Sequence, residues 1–257
     1  MEYLIISISA LIASGLTLFS GFGLGTLLMP VFALFFPIQI AVALTAIVHF
    51  LNNLFKFFLL GRHANKTIIL QFGIPAIMAA FLGAWTLLWL SDLEPLVHYQ
   101  LFSRDFYIMP VKFVVGILMI FFALFELIPK FTEISFERKY LFLGGVLSGF
   151  FGGLSGHQGA LRSIFLIKCG LSKESFIATG VVIACLVDIS RIFVYSTHFS
   201  LLKTDGNISL LLTATLSAFL GAFIGNRLAK RVTMRAIQVI VSIMLFAIAV
   251  CLGAGII

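Results

Sequence analysis

Apolar residues run through this chain in long stretches that short polar connections interrupt. Stretches near 40–60, 68–90, 108–128, 175–196, 208–225 and 236–256 each reach the ~20 residues that a helix needs to cross ~30 Å of hydrocarbon. Two others, 3–36 and 140–170, are too long for one helix and too short for two full crossings, and glycines break both. The pattern predicts six spanning helices and two glycine-broken helical hairpins. Backbone groups in a bilayer core must be satisfied within the segment, so helices rather than strands are expected throughout.

Composition agrees. The chain is 61% hydrophobic and 11% charged, with mean hydropathy +1.16, which excludes an ordinary soluble domain. The fold expected is all-α: a polytopic integral membrane protein forming a single membrane domain over 1–257. The start, Met1-Glu2-Tyr3, lacks the basic region of a signal peptide, so the first apolar run is expected to remain in the mature protein. Cys169, Cys185 and Cys251 lie far apart with no CxxC spacing, as buried thiols do. No P-loop, GxSxG or HExxH is present, and 21–25 lacks the spacing of a dinucleotide fingerprint. No cofactor and no metal are expected.

Charge orients the chain. Basic residues gather at Arg62/Lys66, Lys130/Arg138/Lys139, Lys168/Lys173 and Arg227/Lys230/Arg231/Arg235, whereas 91–107 and 197–207 carry only Arg104 and Lys203. The first set marks cytoplasmic loops. This asymmetry explains the +7 net charge, and no nucleic-acid partner is implied.

The second half is a degraded copy of the first. Ser14-Gly15 returns as Ser148-Gly149, 21–25 aligns with 155–159, Asn53 and Lys56 fall on Asp188 and Arg191, and 80–84 returns as 218–222. Repeat one covers 3–128 and repeat two 140–256. Each holds one hairpin plus three spans, an odd number of crossings, so the copies run antiparallel in the membrane. Such inverted-topology repeats place a substrate near the midplane, between the halves.

Candidate chemistry lies at the hairpin tips and on the helix after each. Gly23 and Gly25, and Gly156 and Gly159, permit tight turns and close approach of backbone to a ligand. Helices starting at Gly25 and Gly159 would aim free N–H groups at the centre, an arrangement suited to an anion. His157 and Gln158 add polar side chains at the second tip, and Arg162 follows one turn later on a short leg near mid-depth. A charge at that depth costs about 2.5–3.5 kcal/mol on insertion scales, so Arg162 is the foremost cation for an anionic substrate. Asp188 and Arg191, spaced i,i+3, are expected to pair on one helix face, as are Asn53 and Lys56. Lys56 also lies close enough to its helix end to snorkel. His49 reads as a hydrogen-bonded packing residue or a proton-coupling group. Lys112 and Glu126 read as interfacial.

The runs GFGLGTLLMPVFALFFPIQIAVALTAIVHFLNNLFKF and GGLSGHQGALRSIFLIKCGLSKESFIATGVVIACLVDISRIF resemble the sulfite exporter (TauE/SafE) family over nearly the whole chain. The matching positions are Gly23, Gly25, Pro30, Asn53 and Lys56, then Gly156, Gly159, Asp188 and Arg191. The resemblance implies a transporter moving a small sulfur-bearing anion, such as sulfite or sulfoacetate, across a bacterial cytoplasmic membrane. Its partners would be that anion, membrane lipid and a coupling proton or ion. The tip His157-Gln158 departs from the plainer first tip, so the halves need not bind symmetrically. Two other readings stay open: an anion channel, and an intramembrane enzyme built on Ser155 and His157.

Overall fold

The computed structural model describes residues 2–20, 24–101, 103–132, 134–198, 205–228 and 234–257. Helices dominate, and their bounds follow the apolar runs. Helix α1 (Glu2–Ser20) and the short α2 (Leu24–Ala33) precede α3 (Ile38–Leu60). Next, α4 (Lys66–Ile68) passes through a π turn (Ile69–Gly73) into α5 (Ile74–Ser91). After a strand pair come α6 (Pro110–Leu127) and the single turn α7 (Pro129–Thr132). The second half holds α8 (Leu141–Ser155), α9 (Gly159–Leu166), α10 (Lys173–His198), α11 (Asp205–Leu228) and α12 (Met234–Gly253).

Three described helices are long and apolar enough to cross a membrane: Ile38–His63, Lys66–Ser91 and Lys173–Thr197. Large apolar side chains such as Phe58, Met78, Trp85 and Phe193 point outward, which is the pattern of a protein whose surroundings are lipid.

Local chemistry sets the ends. Proline at the first position of α6 has no N–H to leave unsatisfied. The Asn65 side chain accepts from Ile68 N–H at 3.1 Å and so caps α4, while its own N–H donates to Thr179 Oγ1 at 2.9 Å. Helix α8 stops at Gly156, whose φ of +82° is left-handed and whose N–H donates to Gly152 O at 3.0 Å. The short legs have the lengths expected of incomplete crossings: ten residues in α2 and eight in α9 extend only roughly 15 and 12 Å.

Packing pairs elements from opposite halves of the chain. Helix α5 lies against α8, α1 against α11, α3 against α10, and α6 against α12. The α5–α8 contact is built from small residues. Gly145, Gly149 and Gly153, one turn apart, meet the backbone of Phe72, Ala76 and Ala80, and a Cβ at any of the three would overlap a carbonyl. The π turn places the Phe72 carbonyl at Gly145.

One expectation needs correction. The connection after α5 is a β-hairpin, β1 (Val97–Leu101) against antiparallel β2 (Arg104–Ile108), with Val97 opposite Ile108 and Leu101 opposite Arg104. The fold is mostly helical, and the expectation of helices throughout fails at this small two-stranded sheet. The physical cause is that Val97, Tyr99, Phe106, Tyr107 and Ile108 are good strand formers in a segment too short and polar for another span. Tyr99 OH donates to Ala254 O at 2.6 Å and ties the hairpin to the end of α12.

Candidate functional site

The polar residues of the helix interiors converge where α3 meets α10. On α3, Thr45, His49, Asn52 and Lys56 recur at i, i+4, i+7 and i+11 and so share one buried stripe, with Asn53 beside it. On α10, Asp188, Arg191 and Tyr195 recur at i, i+3 and i+7 and are buried to 0–1% exposure. Asp188 is the only acidic residue more than one turn from the end of a described helix.

Four contacts hold that carboxylate, three on Oδ1 and one on Oδ2. Asp188 Oδ1 accepts from Arg191 Nε at 3.0 Å and Nη2 at 2.7 Å, and from Gln158 Nε2 at 3.1 Å. Asp188 Oδ2 lies 2.6 Å from His49 Nδ1. Arg191 spends its remaining arm on Gly152 O at 3.3 Å. The i,i+3 spacing does bring Asp188 and Arg191 together. The companion pair does not form: Asn53 turns to the His49 ring, its Nδ2 lying 3.1 Å from Nε2. Lys56 has no hydrogen-bond partner among the described residues, yet it is buried in protein at 6% exposure rather than extended to the surface.

The hairpin tips meet at this cluster. A Cβ at Gly25 would stand 3.3 Å from Gly156 O and 3.6 Å from Thr45 Cγ2, and one at Gly156 would stand 3.1 Å from Arg191 Nη1. Glycine is favoured at 25 by this close approach and at 156 by the left-handed turn. Gly159 opens α9, and Ser148 Oγ donates to Gln158 O at 3.0 Å, which fixes the second tip. Gly23 lies outside the described residues, as do 229–233 of the basic segment before α12.

His157 and Ser155 do not make a catalytic pair. Ser155 Oγ gives its proton to Phe151 O at 3.1 Å, while His157 Nδ1 lies 3.1 Å from both Ser155 O and Ser155 Oγ. The imidazole stacks on Phe122, with centroids 5.1 Å apart, and its buried Nε2 has no partner among the described residues. Among the described residues no third side chain is hydrogen-bonded to the ring to orient it as a base.

Arg162 sits on α9 with its Nε against Gly180 of α10, close enough that a Cβ there would come within 3.3 Å. Its one hydrogen bond is a long one, Nη1 to Gln158 Oε1 at 3.5 Å. Among the described residues the guanidinium has no carboxylate within salt-bridge distance, and it is linked to Asp188 only through Gln158, whose Nε2 donates to Asp188 Oδ1. The cluster thus holds one carboxylate and three cations, of which Asp188 neutralises one.

Sequence reasoning left two members out of the site. His49 links α3 to α10 directly, and its i,i+4 spacing to Asn53 was the available signal. Tyr195, one turn after Arg191, donates its OH to Gly153 O. Among the described residues no group of three or more His, Cys, Asp or Glu is placed to hold a metal ion.

No curated protein matches this chain significantly. The profile of the sulfite exporter TauE/SafE family, however, matches residues 6–252, and with nearly the whole sequence covered, the chain belongs to that family.

Proposed function

We propose that this protein is a secondary transporter that exports a small sulfur-bearing anion by alternating access of two inverted halves. The family supports a membrane transporter of sulfur anions. Packing supports the halves. If α1, α2, α3, α5 and α6 correspond to α8, α9, α10, α11 and α12, exchanging the two sets maps α5–α8 onto α11–α1 and returns α3–α10 and α6–α12 to themselves. That is the pairing a two-fold axis in the membrane plane would produce.

One observation carries the substrate's sign. Lys56 is buried and Arg162 half-buried beside a carboxylate already neutralised by Arg191, and neither has an acidic partner among the described residues. A charge kept in that state is useful when the missing counterion is the cargo. His49, between α3 and Asp188, sits where a coupling proton would be exchanged as the halves move.

Loop charge places residues 61–67 and 129–139 in the cytoplasm and both termini outside. Single-cysteine labelling in a cysteine-free background tests this arrangement. A cysteine at Thr67 is expected to react only after the cytoplasmic face is opened; labelling in intact cells would contradict the inverted repeat.

The functional class is tested by thermal unfolding of the purified protein with sulfite, thiosulfate, sulfoacetate and simple carboxylates. A true substrate at 100 times its Kd should stabilise the folded state by about 2.7 kcal/mol. If no anion raises the midpoint, the assignment fails.

A further inference from the structure

We infer that the anion taken here carries two negative charges and binds between Lys56 and Arg162, on the Leu60 and Lys173 side of the Asp188 centre. The inference rests on the anion-transport reading and names the charge class of its cargo.

Position comes first. Lys56 lies four residues before the end of α3, and Gly180, against which Arg162 rests, lies seven residues after the start of α10. At 1.5 Å per residue these are depths of roughly 6 and 10 Å from the same side, because α3 ends where α10 begins. His49 and Asp188 lie deeper on the same two helices, roughly 16 and 22 Å in. The two cations therefore form a layer of their own, above the carboxylate. The loop after α3 covers that end of α10, since Asn65 N–H bonds Thr179.

Charge comes next. Arg191 is committed to Asp188 and to Gly152 O, so it offers nothing to a ligand. Lys56 and Arg162 remain, one from each half of the chain, and the contacts Arg162–Gln158, Gln158–Asp188 and Asp188–His49 lead to the face of α3 that Lys56 shares with His49. A monoanion would neutralise one of them and leave the other uncompensated. A dianion with its charges a few ångströms apart would neutralise both with two attractions. It would also tie α3 to α9, so recognition and the approach of the two halves would be one event.

The test compares probes of matched shape and different charge by calorimetry on the purified full chain: sulfate against methanesulfonate, and sulfoacetate against its amide. The wild-type protein should bind each dianion at least tenfold more tightly than its monoanionic partner. Lys56→Gln should bring that ratio close to one while monoanion affinity persists, and Arg162→Gln, should the first variant fold poorly, should do the same. Equal binding of the two charge classes by wild type would overturn the inference and leave anion transport standing. A preference that survives both substitutions would also overturn it. Failure of every probe, dianionic or monoanionic, would instead count against the transport reading itself.

Discussion

Arg191→Gln is expected to be the most damaging single substitution in the molecule. It would leave Asp188 ionised and buried with only His49 and Gln158 to compensate it, at a cost of roughly 3–5 kcal/mol. Asp188→Asn should cost about as much, because it strands a buried guanidinium with only neutral partners, Gly152 O among them. Removing both charges together should be milder than the sum of the two, since neither is then left alone. Folded yield and unfolding midpoint of the two single variants and the double variant give the coupling energy. A coupling near zero would mean that Arg191 is solvated in practice and that the cluster is not a structural unit.

Arg162→Ala is expected to leave folding nearly intact and to abolish the tight binding of dianions. The folding half of this prediction follows from the weakness of its contacts, a single 3.5 Å hydrogen bond and apposition to Gly180. The binding half follows from its being a cation without an acidic partner at the junction of the halves. Arg162→Lys should recover little, because an ammonium cannot reproduce two parallel N–H donors, and its compact charge would have to reach the same point on a different stem. Dianion binding as tight as wild type in the alanine variant would move the site to Lys56 alone.

What the sequence disclosed, and what it hid, divides along the range of the interactions. The run at 40–60 became Ile38–Leu60 and that at 175–196 became Lys173–His198, because apolar length is a property of the segment itself. The breaks in the two long stretches were legible for the same reason: a glycine at 156 with left-handed backbone ends a helix wherever the helix is placed. Asp188 with Arg191 was legible because i,i+3 neighbours share a helix face. His49 with Asp188 was not, since 139 residues separate them and only the packing of α3 on α10 brings them together. Asn53 turned to His49 at i,i+4 rather than to Lys56 at i,i+3 on the same helix, and Lys56 was left without a hydrogen-bond partner among the described residues. The β-hairpin at 97–108 was missed because the long apolar runs around it dominate any hydropathy reading, although its aromatic and branched residues announce strands.

The central claim, a saturable anion carrier with one site between two halves, is tested most directly by counterflow. Proteoliposomes holding unlabelled sulfite inside are diluted into a trace of radiolabelled sulfite, at a pH where the dianion prevails. The account predicts transient accumulation of label above equilibrium in wild-type vesicles, dependent on internal sulfite and absent with Arg162→Ala. Label that merely equilibrates at a rate indifferent to internal sulfite, accompanied by unitary currents in a planar bilayer, would identify a channel and contradict the account.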